Sequence, residues 1–128
     1  MPFNWNDFLS LAHQLAKSTD VASKRTAISR AYYCIFNVAF DRAISTGCQY
    51  PGKEGRHQWC WRQYSRSQDR SCTRLGTAGD RMKRRRVRVD YEAADIPRLD
   101  EETLRMLTDA QQFLTALAAL NPRYPLPP

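Results

Sequence analysis

Apolar residues recur at helical spacing along almost the whole chain. Phe8, Leu9, Ala12, Leu15 and Ala16 form one stripe, and Trp5 extends it. Pro2 suits a first helical turn, so the pattern predicts a helix from Pro2 to Lys17. A second helix begins after Asp20, a good N-cap, and ends before Gly47. Its apolar residues, among them Val21, Ala27, Ile28, Ala31, Tyr32, Ile35, Phe36, Ala39 and Phe40, lie on nearly every side. A helix apolar around most of its circumference belongs in the middle of a bundle.

Pro51, Gly52 and Gly55 mark Gln49 to Gly55 as a loop. A short helix over Arg56 to Tyr64 carries Trp59 and Trp61, and Ser65 to Ser71 reads as a polar turn. The next helix covers Cys72 to Val89, with Leu75, Ala78, Met82 and Val89 as its stripe and with Gly76 and Gly79 as weak points. Glu92 to Arg98 is a loop closed by Pro97. The last helix starts at Leu99 or Asp100, where Asp100, Glu101 and Glu102 suit the positive end of a helix dipole. Leu104, Leu107, Ala110, Phe113, Leu114, Leu117, Ala118 and Leu120 form its buried face, and Pro122 ends it. These elements predict an all-α protein, an antiparallel up-and-down bundle of about four to five helices. The bundle occupies residues 1–121, and the proline-rich residues 122–128 form an extended tail.

Size and composition agree with one core. The chain has 128 residues, 42% hydrophobic and 26% charged. No continuous apolar run follows a basic start, and Ala31 to Ala39 is too short to span a bilayer, so a cytoplasmic protein without a membrane segment is expected. Cys34, Cys48, Cys60 and Cys72 form no CxxC pair. They read as reduced thiols, with no metal site and no cofactor expected.

Charge adds a functional clue. The net charge is +7, and six of the eight residues from Arg81 to Arg88 are basic: Arg81, Lys83, Arg84, Arg85, Arg86 and Arg88. The segment itself contains no acid, and Asp90 to Asp109 is acidic. This asymmetry points to a polyanion, or to a basic face that meets an acidic partner. Arg81, Arg84, Arg85 and Arg88 share one helical face, whereas Arg86 leans toward the buried stripe between Met82 and Val89. On the second helix, Thr26, Arg30, Tyr33, Asn37 and Asp41 fall within about an 80° wedge. The wedge is either a solvent-facing stripe or the lining of a cleft. His57 opens the short helix. No GxGxxG, Walker loop or HExxH is present.

The stretch Arg25-Thr26-Ala27-Ile28-Ser29-Arg30-Ala31-Tyr32-Tyr33-Cys34-Ile35-Phe36-Asn37 resembles the second-helix signature of HEPN domains. Met82 to Tyr91, ending Arg86-Val87-Arg88-Val89-Asp90-Tyr91, is similar to the later family segment L-R-x-x-R-N-x-A-D-Y. His57 falls where many members carry a histidine after a glycine-containing loop. The resemblance implies a four- or five-helix bundle, often a homodimer. It also implies either a metal-independent endoribonuclease of a toxin–antitoxin, phage-defence or CRISPR system, or a non-catalytic module. The latter would bind RNA or assemble with an acidic protein or a nucleotidyltransferase antitoxin, for which Tyr91 is a candidate modification site. Active members carry R-x4-6-H. In this chain no histidine follows the basic run, Lys83 and Val87 replace the family arginine and asparagine, and Tyr91 stands nearest to the histidine position.

Cleavage of RNA needs a cation on the phosphate and groups that move protons. Arg86 and Arg30 are the candidates for the first task, and Tyr91 and His57 for the second. Asp90, Asn37 and Asp41 are supporting candidates, and Arg81, Lys83, Arg84, Arg85 and Arg88 are expected to hold the RNA backbone.

Overall fold

The computed structural model describes residues 2–128. Five helices follow one another: α1 (Asn6–Ala16), α2 (Val21–Ser45), α3 (Arg56–Ser65), α4 (Arg70–Tyr91) and α5 (Leu99–Ala119). The protein is an all-helical bundle, as the periodicity predicts. α2 lies at its centre and packs against the other four helices. Ala27, Ala31, Cys34, Ile35, Ala39 and Ala43 on α2 are fully buried, which accounts for its all-round apolar surface.

Long-range contacts give the directions. Lys24 pairs with Asp100 at one end of the bundle, and Arg42 reaches Leu117 O at the other, so α2 and α5 run parallel. Arg25 meets the end of α4, so α2 and α4 run antiparallel. For the four long helices, α1, α2, α4 and α5, that is the alternation of an up-and-down path, with α2 in the middle and α3 inserted between α2 and α4.

Several boundaries differ from expectation, each for a local reason. α1 begins at Asn6 rather than Pro2. Trp5 sits just before it, and its indole donates to Asp41 Oδ2 at 2.9 Å. α4 begins at Arg70, ahead of the expected Cys72, because Asp69 caps it by accepting from Cys72 N at 2.9 Å. α3 runs on through Ser65, so the turn shrinks to residues 66–69.

Two arginines of α2 close the ends of other helices. Arg25 donates to the carbonyls of Val89, Glu92 and Ala94. Arg42 donates to the carbonyls of Leu117, Leu120, Asn121 and Tyr124. Each cation satisfies acceptors that a helix C-terminus leaves free and sits at the negative end of the dipole. The proline-rich tail is thereby docked, not merely extended. Pro125 is buried, its carbonyl accepts from Thr46, and Leu126 O accepts from Arg66. Arg42→Met should lower stability by about 2–3 kcal/mol, since it strips charge-assisted bonds from several carbonyls at once. Urea denaturation followed by circular dichroism measures it, and a loss below about 0.5 kcal/mol would contradict the capping role.

Gly76 and Gly79 are close-approach positions. A Cβ on Gly76 would stand 2.6 Å from Ser65 N, and one on Gly79 would stand 2.3 Å from the Trp61 ring. These glycines let α3 press onto α4. All four cysteines are buried free thiols, and burial pushes the Cys34 thiol up to about 11. Among the described residues, no helix is long and apolar enough to cross a membrane.

Candidate functional site

Three elements meet around one guanidinium. From α4, Lys83, Arg86 and Asp90 lie on one face. From α2 come Ser29, Tyr32 and Tyr33, and α3 contributes His57 and Trp61. Arg86 is only 7% exposed. Its guanidinium carbon stands 5.4 Å from the Tyr32 ring centre and 5.2 Å from that of Tyr33. Electron-rich ring faces stabilise the cation at this range.

The ionic partner is weak. Asp90 Oδ2 lies 3.7 Å from Arg86 Nη1, beyond ordinary hydrogen-bond length, and that carboxylate already accepts from Ser29 Oγ at 3.1 Å. Arg86 Nε is buried and has no hydrogen-bond partner among the described residues. A buried donor without an acceptor is costly.

Tyr32 and His57 form the wall beside it. Tyr32 is fully buried, and Trp61 Nε1 donates to its hydroxyl at 3.1 Å. Burial raises the Tyr32 pKa far above the usual phenol value, so the ring keeps its proton. That proton needs an acceptor, and His57 Nδ1 lies 2.7 Å away. Tyr32 therefore donates to Nδ1, which places the imidazole proton on Nε2. His57 stacks on Phe36 with ring centres 3.9 Å apart. Burial first, then the charges of Arg86, Lys83 and Arg56, lower its pKa to about 4. His57 is thus a neutral N–H donor at physiological pH.

The same shift makes a prediction. A histidine that is harder to protonate when folded leaves stability untouched well above its unfolded value near 6.5. It reduces stability as pH falls from there toward about 4. Wild type should therefore lose more stability than His57→Gln between pH 7.5 and 4.5. Thermal melts of the two proteins across that range measure the difference, and parallel pH profiles would contradict it.

The other candidates are distributed differently. Arg30 lies over Phe8 at 4.7 Å and over Tyr33 at 4.8 Å, so it shares the Tyr33 ring with Arg86. Asn37 and Asp41 do not join them: Asn37 donates to Tyr33 O within α2, and Asp41 holds Trp5. The polar wedge of α2 is therefore no open cleft, because Phe8 and Trp5 cover part of it. Tyr91 is 76% exposed at the end of α4.

The basic run is better compensated than its own residues suggest. Arg84 pairs with Asp80 at 3.0 Å, with Lys83 at 3.9 Å from the same carboxylate. Arg85 pairs with Asp109 of α5 at 2.6 Å, and Arg88 with Glu92 at 3.4 Å. Among the described residues, Arg81 has no ion-pair partner. The compensating acids lie one helical turn away or on another helix.

Sequence reading missed Ser29, Tyr32 and Trp61 as parts of the site. Their signal was faint: Tyr32 and Trp61 read as core aromatics. Among the described residues, no three His, Cys, Asp or Glu side chains converge as metal ligands. No protein-family description, curated protein or solved structure matches this chain.

Proposed function

We propose that this chain is a HEPN-like, RNA-directed module that grips a phosphate of RNA at Arg86. The unpartnered Nε–H of the buried Arg86 guanidinium carries this reading. Arginine suits phosphate because it offers charge and several N–H donors in a fixed plane. His57 Nε2–H adds a neutral donor, and Arg30 adds a second cation beside the shared Tyr33 ring. The two stretches on which the HEPN resemblance rests also meet here: Ser29 touches Asp90, and Tyr32 and Tyr33 flank Arg86.

Binding is better supported than cleavage. A transesterification needs a base for the 2′-hydroxyl and an acid for the leaving oxygen. His57 has Nδ1 occupied by Tyr32 and resists protonation at Nε2. Metal-independent endoribonuclease activity is the second reading, favoured by the meeting of a histidine and an arginine from different helices. Purified protein incubated with a mixed RNA in chelator separates the two. The expected outcome is binding that weakens steeply with salt and leaves the RNA intact. Cleavage products that vanish in Arg86→Met would overturn the binding-only reading in favour of the enzyme.

A further inference from the structure

A groove of about 430 Å³ runs between α4 and α5, lined by neither Tyr32 nor His57. Leu75, Ala78 and Met82 on α4 face Phe113 and Ala116 on α5 and Leu120 at its C-cap. The α4 residues follow one another at spacings of three and four, as do Phe113, Ala116 and Leu120. Leu75, Met82, Phe113 and Leu120 are its buried floor, and Ala78 and Ala116 are the apolar surface open to a partner. No residue of α3 lines it. The lining extends along α4 from Asp69 to Met82, about 20 Å at 1.5 Å per residue. Ala78 and Ala116 keep the seam low. Two antiparallel helices with a low apolar seam form the seat that another helix takes in a bundle.

Charge decides what kind of helix fits. Four ionisable residues rim the groove: Asp69, Arg74, Arg81 and Asp109. Both acids are engaged, Asp69 as the cap of α4 and Asp109 in its pair with Arg85. Arg74 and Arg81 are exposed and make no ion pair among the described residues. The unspent charge along the rim is positive and spans two helical turns.

We propose that the α4–α5 groove is a docking site for an acidic amphipathic helix of a partner protein. The helix lays leucine-type side chains onto Ala78 and Ala116 and sets carboxylates against Arg74 and Arg81. Arg86 does not line this groove, so protein docking and RNA binding use different residues of α4.

The test uses the full chain and two labelled helix-forming peptides of about 14 residues, a length that matches the groove. Both carry leucines at helical spacing; one has glutamates on its flanks and the other lysines. Fluorescence anisotropy should show saturable binding of the glutamate peptide and at least tenfold weaker binding of the lysine peptide. Arg74→Glu with Arg81→Glu should reverse that preference. Ala116→Arg, at an exposed position, should abolish peptide binding while leaving the thermal melt and RNA binding unchanged. Arg86→Met should weaken RNA binding and leave peptide binding unchanged. No saturable binding of the glutamate peptide, or equal binding of both peptides, would overturn the proposal. So would sedimentation showing a dimer that Ala116→Arg dissociates, which would give the groove to a second copy. Loss of RNA binding in Ala116→Arg would give it to RNA and likewise overturn the proposal.

Discussion

Arg86→Met should weaken binding of single-stranded RNA by roughly ten- to a hundredfold. A charge-assisted hydrogen bond is worth about 1.5–3 kcal/mol, and each 1.4 kcal/mol is a factor of about ten in affinity. Methionine keeps much of the side-chain volume and removes the orphaned Nε–H. The fold should survive, because Asp90 is exposed and still accepts from Ser29. The expected cost in stability is about 1–2 kcal/mol, from the lost contacts with the Tyr32 and Tyr33 rings. Arg86→Lys restores charge without the planar donor set and should recover only part of the affinity. Arg84→Ala and Arg88→Ala change cations that are already paired with Asp80 and Glu92, and should cost less than threefold each. Equal losses for Arg84, Arg86 and Arg88 would mean that RNA meets a diffuse charged face and not the Arg86 site. Anisotropy titrations at two salt concentrations measure all of these.

Gly79→Ala should destabilise the fold by about 3 kcal/mol, the largest loss expected from adding a single methyl group. Intrinsic helix propensity predicts the opposite sign, a gain of about 1 kcal/mol when glycine becomes alanine within a helix. Packing reverses it. The new methyl would overlap the six-membered ring of Trp61 at 2.3 Å. Trp61 has little room to withdraw. It is 2% exposed, meets Phe113 edge-on with ring centres 5.7 Å apart, and donates to Tyr32. Displacing Trp61 also disturbs the Trp61–Tyr32–His57 chain, so RNA affinity should fall with stability. A double-mutant cycle isolates the contact. In a Trp61→Leu background the cost of Gly79→Ala should shrink below about 1 kcal/mol. An unchanged cost in that background would place the clash elsewhere.

Gly79 also illustrates what the chain discloses in advance. A glycine inside a helical pattern reads as a weakness, because propensity is local and the partner that needs the gap sits on another helix. The helices themselves were legible, since apolar spacing is also local: α2, α4 and α5 lie within a few residues of their expected limits. The docked tail was not legible. It depends on Arg42 reaching carbonyls about eighty residues away, and no spacing rule links a cation to distant backbone acceptors. The basic run misled in the same way. Its own residues hold no acid, but Asp80 stands directly before it, Glu92 lies one turn beyond it, and Asp109 arrives from α5.

Within the site, Arg86 was legible from its place between Met82 and Val89, which turns it inward. Tyr91 stood out for its proximity in sequence, yet it is exposed at the end of α4, so the proton-transfer role expected of it has no buried surroundings to support it. Tyr32 was hidden among core aromatics. Its hydroxyl carries the hydrogen bond that fixes the His57 tautomer, and a hydroxyl's partner appears only once three helices are assembled.

The most direct test reads the Arg86 Nε–H itself. In a nitrogen–proton NMR spectrum of the arginine Nε region, the Arg86 resonance is assigned by its loss in Arg86→Lys. Short single-stranded RNA is then titrated in. The predicted result is a saturable shift of the Arg86 Nε–H that is larger than any at Arg81, Arg84 or Arg88. A titration that moves those exposed arginines and leaves Arg86 unchanged would contradict phosphate binding at this site.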